Sequence, residues 1–317
     1  MSILITGGTG YIGSHIALAL LEENNNVILF DNLSNSRKKI ASVVDFLAEP
    51  YSEGKLDFYR GDLKHKRDID LVFDENDIDV VIHLANTTRN LNASQGQIEI
   101  IENDVVGTTN LLKSMSEHNV NKLIFGSSMD SKRDFTKPMI ESIFKQLIKT
   151  NSAMSIVVMN CSEVCGTHHS AALGYNFCLN YDSPFVRCME SLALKKDLVL
   201  SKEELPLKRD IIYVIDVANA FAKAIPFINE MPGGMECFSI GSGVGYTCQE
   251  IVDEFEASCS EKFTKVILEE PVTAEKIDIC SINKAVDLLS WKPLYGLNNI
   301  CSSAYRWTLR DEWEKCI

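Results

Sequence analysis

Gly7-Gly8-Thr9-Gly10-Tyr11-Ile12-Gly13 follows the apolar segment Ser2–Thr6 directly and opens a helix-forming stretch. A glycine-rich turn in this position lets backbone N–H groups and a helix N-terminus approach a phosphate closely. Gly7 permits the tight turn, Gly10 leaves the phosphate path clear of a Cβ, and Gly13 lets helix and strand pack together. The pattern predicts a dinucleotide site formed by the residues of the turn: Gly7, Gly10, Tyr11, Ile12 and Gly13.

A carboxylate stands where the second predicted strand ends. Asp31 lies within the distance along the chain that is typical of a carboxylate binding ribose hydroxyls. A negative charge there repels a 2′-phosphate, so the sequence favours NAD over NADP. Asp62, in Gly61-Asp62-Leu63 after the third predicted strand, is expected near the adenine amino group, with an ordinary turn as the alternative.

Strands and helices alternate through the first half of the chain. Strands are predicted at 2–6, 26–31, 56–59, 80–84, 122–126 and 154–159, and helices at 11–23, 36–47, 98–117 and 139–149. This order predicts an α/β, Rossmann-type doubly wound parallel sheet. The second half, with helices predicted at 185–195, 217–225, 248–258, 283–289 and 299–314 and a strand at 236–240, predicts a smaller mixed α/β lobe. We therefore expect an NAD-binding domain at 1–165 and a substrate-binding lobe at 166–317.

The composition limits the classes of partner. The 317 residues carry a net charge of −13, which disfavours binding to nucleic acid and to anionic membranes. The N-terminus has no basic flank, and no apolar stretch is long enough to span a bilayer, so a cytoplasmic protein is expected. The ten cysteines, between Cys161 and Cys316, have scattered spacings that indicate neither a metal site nor a disulfide scaffold.

Several motifs, in order along nearly the whole chain, resemble those of one family. They are Ile5-Thr6-Gly7-Gly8-Thr9-Gly10-Tyr11-Ile12-Gly13-Ser14-His15, Asp31-Asn32-Leu33-Ser34-Asn35-Ser36, Val81-Ile82-His83-Leu84-Ala85, Asp104-Val105-Val106-Gly107-Thr108, Arg209-Asp210-Ile211-Ile212-Tyr213-Val214 and Ile240-Gly241-Ser242-Gly243-Val244-Gly245-Tyr246. The family is that of the extended short-chain dehydrogenases/reductases, and UDP-glucose 4-epimerases in particular. The resemblance implies reversible hydride transfer between NAD and C4 of a UDP-sugar, with a tyrosine as the base and a lysine four residues later.

The same resemblance assigns roles to individual residues. Cofactor contacts are implied for Asn32, Asp62, Leu63, Ala85 and Lys137. Ser128 corresponds to the catalytic serine or threonine, which also contacts substrate, and Lys137 to the catalytic lysine. Arg209 corresponds to an arginine that binds the nucleotide-sugar phosphates, although a structural ion pair with Asp210 or another carboxylate is an alternative. A homodimer through the helices at 98–117 and 139–149 is also implied.

The catalytic segment departs from the family. Arg133 stands at the tyrosine position, and most of the loop before the helix is missing. Arginine stays protonated and cannot act as a base. Pro138 predicts a helix that begins at Pro138 and leaves Lys137 just outside it, where a solvated lysine is the alternative to a catalytic one. Ser162 also replaces an amide of the UDP site.

Three interpretations follow. The first is an active UDP-sugar 4-epimerase of galactose metabolism or a related nucleotide-sugar enzyme. The second, which we favour, is an NAD-binding protein of that ancestry with little or no activity. The third is a different reaction that uses Cys161, Cys165, His168 or His169 in an altered pocket.

Overall fold

The large sheet is parallel throughout. The computed structural model describes residues 1–86, 94–129, 135–175, 183–269 and 279–310. Seven strands pair in the order β10-β6-β5-β4-β1-β2-β3. These strands are β1 Ser2–Thr6, β2 Asn26–Asp31, β3 Leu56–Arg60, β4 Val80–His83, β5 Lys122–Ser128, β6 Ser155–Cys161 and β10 Gly234–Ile240. The predicted doubly wound sheet is confirmed.

Helices cover both faces of this sheet because successive strand residues point to opposite sides. Ile3 and Ile5 pack into the apolar cluster under α1, α2 and α8, whereas Leu4 packs into the cluster under α3, α5 and α6. The helices are α1 Tyr11–Glu22, α2 Lys39–Ala48, α3 Lys66–Glu75, α4 Ser94–Ile101, α5 Gly107–Glu117, α6 Thr136–Thr150 and α8 Val214–Glu230. A π-helical segment, Glu102–Val106, joins α4 to α5.

A second lobe has its own apolar core. A three-stranded sheet contains β7 Glu163–Cys165, β9 Lys208–Tyr213 and β11 Gly245–Thr247, and a parallel pair contains β8 Leu198–Ser201 and β12 Lys265–Leu268. Around them lie α7 Pro184–Leu194, α9 Cys248–Cys259, α10 Asn283–Leu289 and α11 Leu297–Thr308. β10 and α8 also come from beyond residue 165, yet β10 pairs with β6 and α8 packs on α1. The large sheet therefore takes a strand from the second of the two predicted parts.

The start of α6 corrects one prediction. The helix begins at Thr136, so Lys137 lies inside its first turn and not ahead of it. The first four N–H groups of a helix have no partner within the helix, so a proline at the third position removes no hydrogen bond. The hydroxyl of Thr136 donates to Asp104 Oδ2 at 2.8 Å, which holds the first residue in place.

The length of α8 corrects a second prediction. The helix predicted at 217–225 stops before Pro226, but α8 continues through this proline to Glu230. The missing hydrogen bond costs about 3 kcal/mol. Ile225 and Ile228, on either side of the proline, are 4% and 0% exposed, and burying two isoleucines contributes about 3–6 kcal/mol. Tertiary packing therefore offsets the local penalty.

Two further features differ from the expected elements. α3 was not predicted, although Ile69, Val72 and Phe73 have helical spacing and are all buried. The helix predicted at 98–117 contains the π-helical segment, which turns the side chain of Asp104 into the interior, where it is 1% exposed. No helix among the described ranges is both long and apolar enough to cross a membrane.

Candidate functional site

The glycine turn lies where β1 ends, between β2 and β4. Gly7 has a left-handed φ of +69°, and its N–H donates to Phe30 O at 2.8 Å. A Cβ at Gly7 would stand 2.9 Å from the backbone nitrogen of Ala85. Gly7 is therefore required both by its conformation and by the close approach of the chain after β4.

Gly10 and Gly13 differ in what a side chain would meet. A Cβ at Gly13 would overlap the carbonyl oxygen of Gly7, so helix and strand could not keep their distance. Gly10, the N-cap of α1, has an unstrained φ of −70°, and a Cβ there would meet only Gly7 O, at 3.1 Å. The fold requires glycine at position 13 much more strongly than at position 10.

Asp31 ties the turn to the loop after β2. Its carboxylate is 5% exposed and accepts hydrogen bonds from Thr9 N at 3.1 Å, Leu33 N at 2.8 Å and Ser36 Oγ at 3.1 Å. The Oγ atoms of Thr9 and Ser36 lie 2.6 Å apart. Asp31 therefore stands beside the glycine turn, as the dinucleotide interpretation requires.

The other predicted cofactor residues gather at the same edge of the sheet. Asn32 Nδ2 donates to Asp62 Oδ2 at 3.4 Å, which joins the loops after β2 and β3. Leu63 is buried against the first residue of α5, where a Cβ on Gly107 would stand 2.9 Å from Leu63 Cβ. The side chain of Tyr11 is engaged within the protein, since its hydroxyl donates to Gly166 O at 2.6 Å. If Tyr11 contacts a ligand at the glycine turn, it does so through its backbone N–H.

Ser128 is the last residue of β5, and Lys137 lies in the first turn of α6, the helix that follows β5 in the chain. Ser128 pairs in register with Cys161. The positive charge of Lys137 lowers the pKa of Cys161, against the larger effect of burial. Glu141, one turn after Lys137 on the same side of α6, accepts a hydrogen bond from Ser127 Oγ at 3.3 Å. The structure thus brings Ser128 and Lys137 to one edge, whereas Arg133 lies outside the described residues.

Arg209 lies in a buried ion network in the second lobe. Its Nη1 is 3.6 Å from Glu163 Oε2, and its Nη2 donates to Glu204 Oε1 at 3.4 Å. Glu204 also accepts from Arg187 Nη2, which lies 2.5 Å from Oε1 and 2.6 Å from Oε2. Arg209 is 5% exposed, and each glutamate side chain is 2% exposed. The guanidinium is therefore held by two carboxylates. This arrangement agrees with the alternative in which Arg209 forms a structural ion pair and does not bind a phosphate.

Asp210 turns the other way and serves as an acceptor for three segments. Its two oxygens accept from Ser162 Oγ, from the N–H and Oγ of Ser242, from Gly243 N and from Cys280 N, at 2.8 to 3.2 Å. The residue is fully buried. Ser162, at the position of an amide in the related UDP site, is thus engaged with Asp210.

The thiols and imidazoles of the third interpretation are poorly suited to nucleophilic chemistry. Burial raises the pKa of Cys161 to about 12, an effect that the charge of Lys137 only partly opposes. Burial also raises the pKa of Cys165 well above its ordinary value. The pKa of His168 is lowered to about 3, first by burial and then by His169. Across the described ranges, no three histidine, cysteine or acidic side chains are arranged to hold a metal ion.

Sequence reasoning missed two groups. Glu163, which pairs with Arg209, gave no signal because its partner is distant in the sequence. The buried hydrogen bonds among Thr6, His83, Asp104 and Thr136 were also missed. His83, a histidine that ends an otherwise apolar strand, was the one hint available.

Comparisons with known proteins agree with this architecture. Residues 3–132 match the model of the NAD dependent epimerase/dehydratase family. The chain is 28% identical over 340 residues to UDP-glucose 4-epimerase 3 of Oryza sativa subsp. japonica, covering 98% of this chain and 91% of that protein. It is also 28% identical over 334 residues to UDP-glucose 4-epimerase of Bacillus subtilis (strain 168), covering 97% and 96% respectively.

Solved structures show the same fold. A UDP-glucose 4-epimerase from Bifidobacterium longum, solved in complex with NAD+ and UDP, superposes with a TM-score of 0.86 at 24% identity and covers 99% of both chains. One from Stenotrophomonas maltophila, with bound NAD and formylated UDP-arabinopyranose, gives a TM-score of 0.89 at 21% identity, covering 97% and 98%. The chain is thus similar over residues 3–132 to the NAD dependent epimerase/dehydratase family, similar over nearly its whole length to UDP-glucose 4-epimerases, and shares their fold.

Proposed function

We propose that the protein binds NAD(H) at the carboxyl edge of the large sheet and has little or no UDP-sugar 4-epimerase activity. The phosphates would meet the amides of the glycine turn and the N-terminus of α1, and Asp31 would bind the adenosine ribose. Ser128 and Lys137 stand at the nicotinamide end of the same edge. When bound, the nicotinamide supplies the acceptor for a hydride.

Gly10 is the observation that carries the cofactor proposal. Its backbone angles suit any residue, and a Cβ would need only a small displacement of Gly7 O. Internal packing thus explains Gly7 and Gly13 but explains Gly10 only weakly. A ligand phosphate that passes close to the backbone at Gly10 supplies the missing reason. Asp31, buried beside the turn, makes a 2′-phosphate unfavourable and supports NAD over NADP.

Two features support the proposed loss of activity: the absence of a tyrosine base and the ion pairs that hold a predicted substrate-binding arginine. Arg133 stands where the tyrosine base of the related enzymes belongs, and a guanidinium does not accept a proton at usable pH. A general base contributes roughly 10²–10⁴-fold to rate. On the substrate side, Arg209 is neutralised by Glu163 and Glu204, so it has little charge left for a diphosphate.

An active UDP-sugar 4-epimerase is the second candidate. Two observations favour it: the similarity to UDP-glucose 4-epimerases extends over nearly the whole chain, and Ser128 and Lys137 lie at the same edge of the sheet, one at the end of β5 and the other at the start of α6. In that case a group other than residue 133 must accept the proton.

A cytoplasmic homodimer is the form in which we expect the protein. The helices expected at the interface carry exposed apolar side chains. Ile98 is 62% exposed, Val106 45% and Met139 44%. An interface through these helices would cover the three side chains, as subunit interfaces cover apolar surface.

The test combines binding and turnover on one preparation. NADH and NADPH are titrated by fluorescence, the NAD content of the purified protein is measured, and epimerisation of UDP-galactose is followed. We expect NADH to bind more tightly than NADPH, and turnover near the detection limit. Arg133→Tyr is expected to leave turnover low, because the altered loop and the Arg209 network remain.

A different result contradicts each part of the proposal. Absence of NADH binding by the wild-type protein contradicts the cofactor proposal. Robust turnover of UDP-galactose by the wild-type protein contradicts the loss of activity and supports the second candidate. Strong rescue by Arg133→Tyr alone shows that the rest of the site is intact.

A further inference from the structure

β12 is an edge strand with an apolar middle. It pairs with β8 on one side, and no other strand in the described ranges pairs with it. Val266, Ile267 and Leu268 are 38%, 43% and 42% exposed, so apolar side chains are open to solvent on both faces of the strand. Val199, the partner of Val266 in β8, is also 40% exposed. An exposed apolar edge without proline is the kind of strand that pairs with a further chain.

The hydrogen bonds to β8 fix which amides of β12 face outward. The backbone of β8 donates to the carbonyls of Thr264 and Leu268, at 2.8 and 3.0 Å. Alternate residues of a paired strand bond to the same neighbour, so the even-numbered residues of this stretch face β8. The N–H and C=O groups of Lys265 and Ile267, and the N–H of Glu269, therefore point to the free edge.

The sequence of this edge is complementary to itself when two copies run antiparallel. If Ile267 lies opposite Ile267 of a second copy, Lys265 lies opposite Glu269, and Val266 lies opposite Leu268. Residues directly opposite each other share a face, so ion pairs flank the two isoleucines on one face and the other face is apolar. A shift of the register by two residues would instead place a charged residue opposite Ile267.

This register also satisfies the outward backbone groups. Two residues that face each other across an antiparallel pair, with their amides between the strands, exchange both N–H···O=C bonds. Ile267 would exchange both bonds with Ile267 of the second copy, and the N–H of Glu269 would donate to the carbonyl of Lys265. The hydrogen-bonding pattern and the charges thus select the same register.

The ion pairs that Lys265 and Glu269 form within the subunit do not prevent this pairing. Glu269 lies 3.2 Å from Lys202, and the two side chains are 79% and 64% exposed, so their pair contributes little. Lys265 Nζ lies 2.9 Å from Glu256, whose carboxylate also accepts from Lys262 at 2.6 Å. Glu256 therefore keeps a partner when Lys265 turns towards a second copy.

We propose that β12 is a self-association surface, on which a second copy of this chain adds its own β12 antiparallel about a two-fold axis at Ile267. The two small sheets then become one, in the order β8-β12-β12-β8. This surface is separate from the helices at 98–117 and 139–149, so the two interfaces together would join dimers into larger assemblies. One strand pair is small compared with the interface of a stable complex, so association through β12 alone is weak.

Sedimentation velocity over a range of concentrations tests the surface. The background carries Ile98→Lys and Met139→Lys, so that the helical interface does not contribute. Ile267→Lys places like charges at the axis, and Ile267→Pro removes an outward N–H that β8 does not use. Leu294→Lys, at an apolar side chain that is 66% exposed and lies outside this sheet, is the matched control. Tm by circular dichroism shows that each variant folds.

We expect the background protein to be monomeric at micromolar concentration and to form dimers as the concentration approaches millimolar. Ile267→Lys and Ile267→Pro should each abolish this association with Tm close to that of the background, and Leu294→Lys should retain it. A background protein that stays monomeric throughout overturns the proposal and leaves the edge to a strand of another protein. Dimers that persist undiminished in Ile267→Lys overturn it as well.

Charge exchange tests the register. Glu269→Lys and Lys265→Glu should each weaken association about tenfold, the scale of two exposed ion pairs replaced by like-charge contacts. An equimolar mixture of the two variants should associate as the background protein does, because opposite charges then meet at both ends of the paired strands. A mixture that associates no better than either variant alone contradicts the antiparallel arrangement about Ile267.

Discussion

Acid should destabilise this protein below about pH 6.5, because three histidines are buried in neutral form. His15 is 2% exposed, His83 1% and His168 5%. Burial lowers the pKa of His15 and His83 from 6.5 to about 4 and that of His168 to about 3. The unfolded chain therefore binds more protons than the folded one between pH 4 and pH 6.5. Stability is fully present above about pH 6.5 and decreases as the pH falls through this window.

The magnitude follows from the two pKa values. At pH 5 an unfolded histidine is almost fully protonated, whereas the buried one is still mostly neutral. The difference amounts to about 2 kcal/mol for each residue, or about 6 kcal/mol for all three, relative to pH 8. Burial raises the pKa of Asp216 to about 6, so this carboxyl group binds a proton in the folded state at pH 5 and offsets about 1 kcal/mol of the loss. Domains of this kind are stable by about 5–15 kcal/mol, so the loss is a large part of the total.

Urea unfolding at several pH values between 8 and 5 measures this loss. His15 Nδ1 lies 2.7 Å from Tyr11 O, and Nε2 has no hydrogen-bond partner among the described residues. His15→Gln keeps a donor for Tyr11 O but does not titrate, so it should reduce the fall in unfolding free energy by about 2 kcal/mol. His65→Gln, at a side chain that is 70% exposed, is the control and should follow the wild-type curve. A wild-type free energy that stays flat from pH 7 to pH 5, or a full fall retained by His15→Gln, would refute the reasoning.

Three other predictions follow from the site and the surface. Gly10→Val should abolish NADH binding with a small change in Tm, whereas Gly13→Ala should lower Tm strongly because its Cβ overlaps Gly7 O; equal Tm values for the two variants would contradict this. Glu163→Gln should cost about 3–5 kcal/mol in urea unfolding, the scale of a broken buried ion pair, and a cost near zero would mean that Arg209 does not depend on it. Ile98→Lys with Met139→Lys should convert a dimer into a monomer by light scattering, and a monomeric wild-type protein at micromolar concentration would remove the basis for the homodimer.

Much of the cofactor half could be predicted from sequence because its signals are local. The glycine turn, the strand before it and the helix after it are contiguous, and Asp31 follows at a characteristic distance. Their spacing predicted the parallel sheet, and the structure places these residues at one edge. The identity of residue 133 was likewise readable directly, since a chemical property of arginine is enough to exclude it as a base.

Tertiary structure decided the features whose partners are distant in the chain. α8 continues past Pro226 because packing against α1 outweighs a local penalty. Thr6 and His83, 77 residues apart, meet because β1 and β4 are neighbours in the sheet. Arg209 is buried between Glu163 and Glu204 because β7 pairs with β9. Burial makes such contacts strong or costly, and burial is a property of the assembled fold and not of any short stretch of sequence.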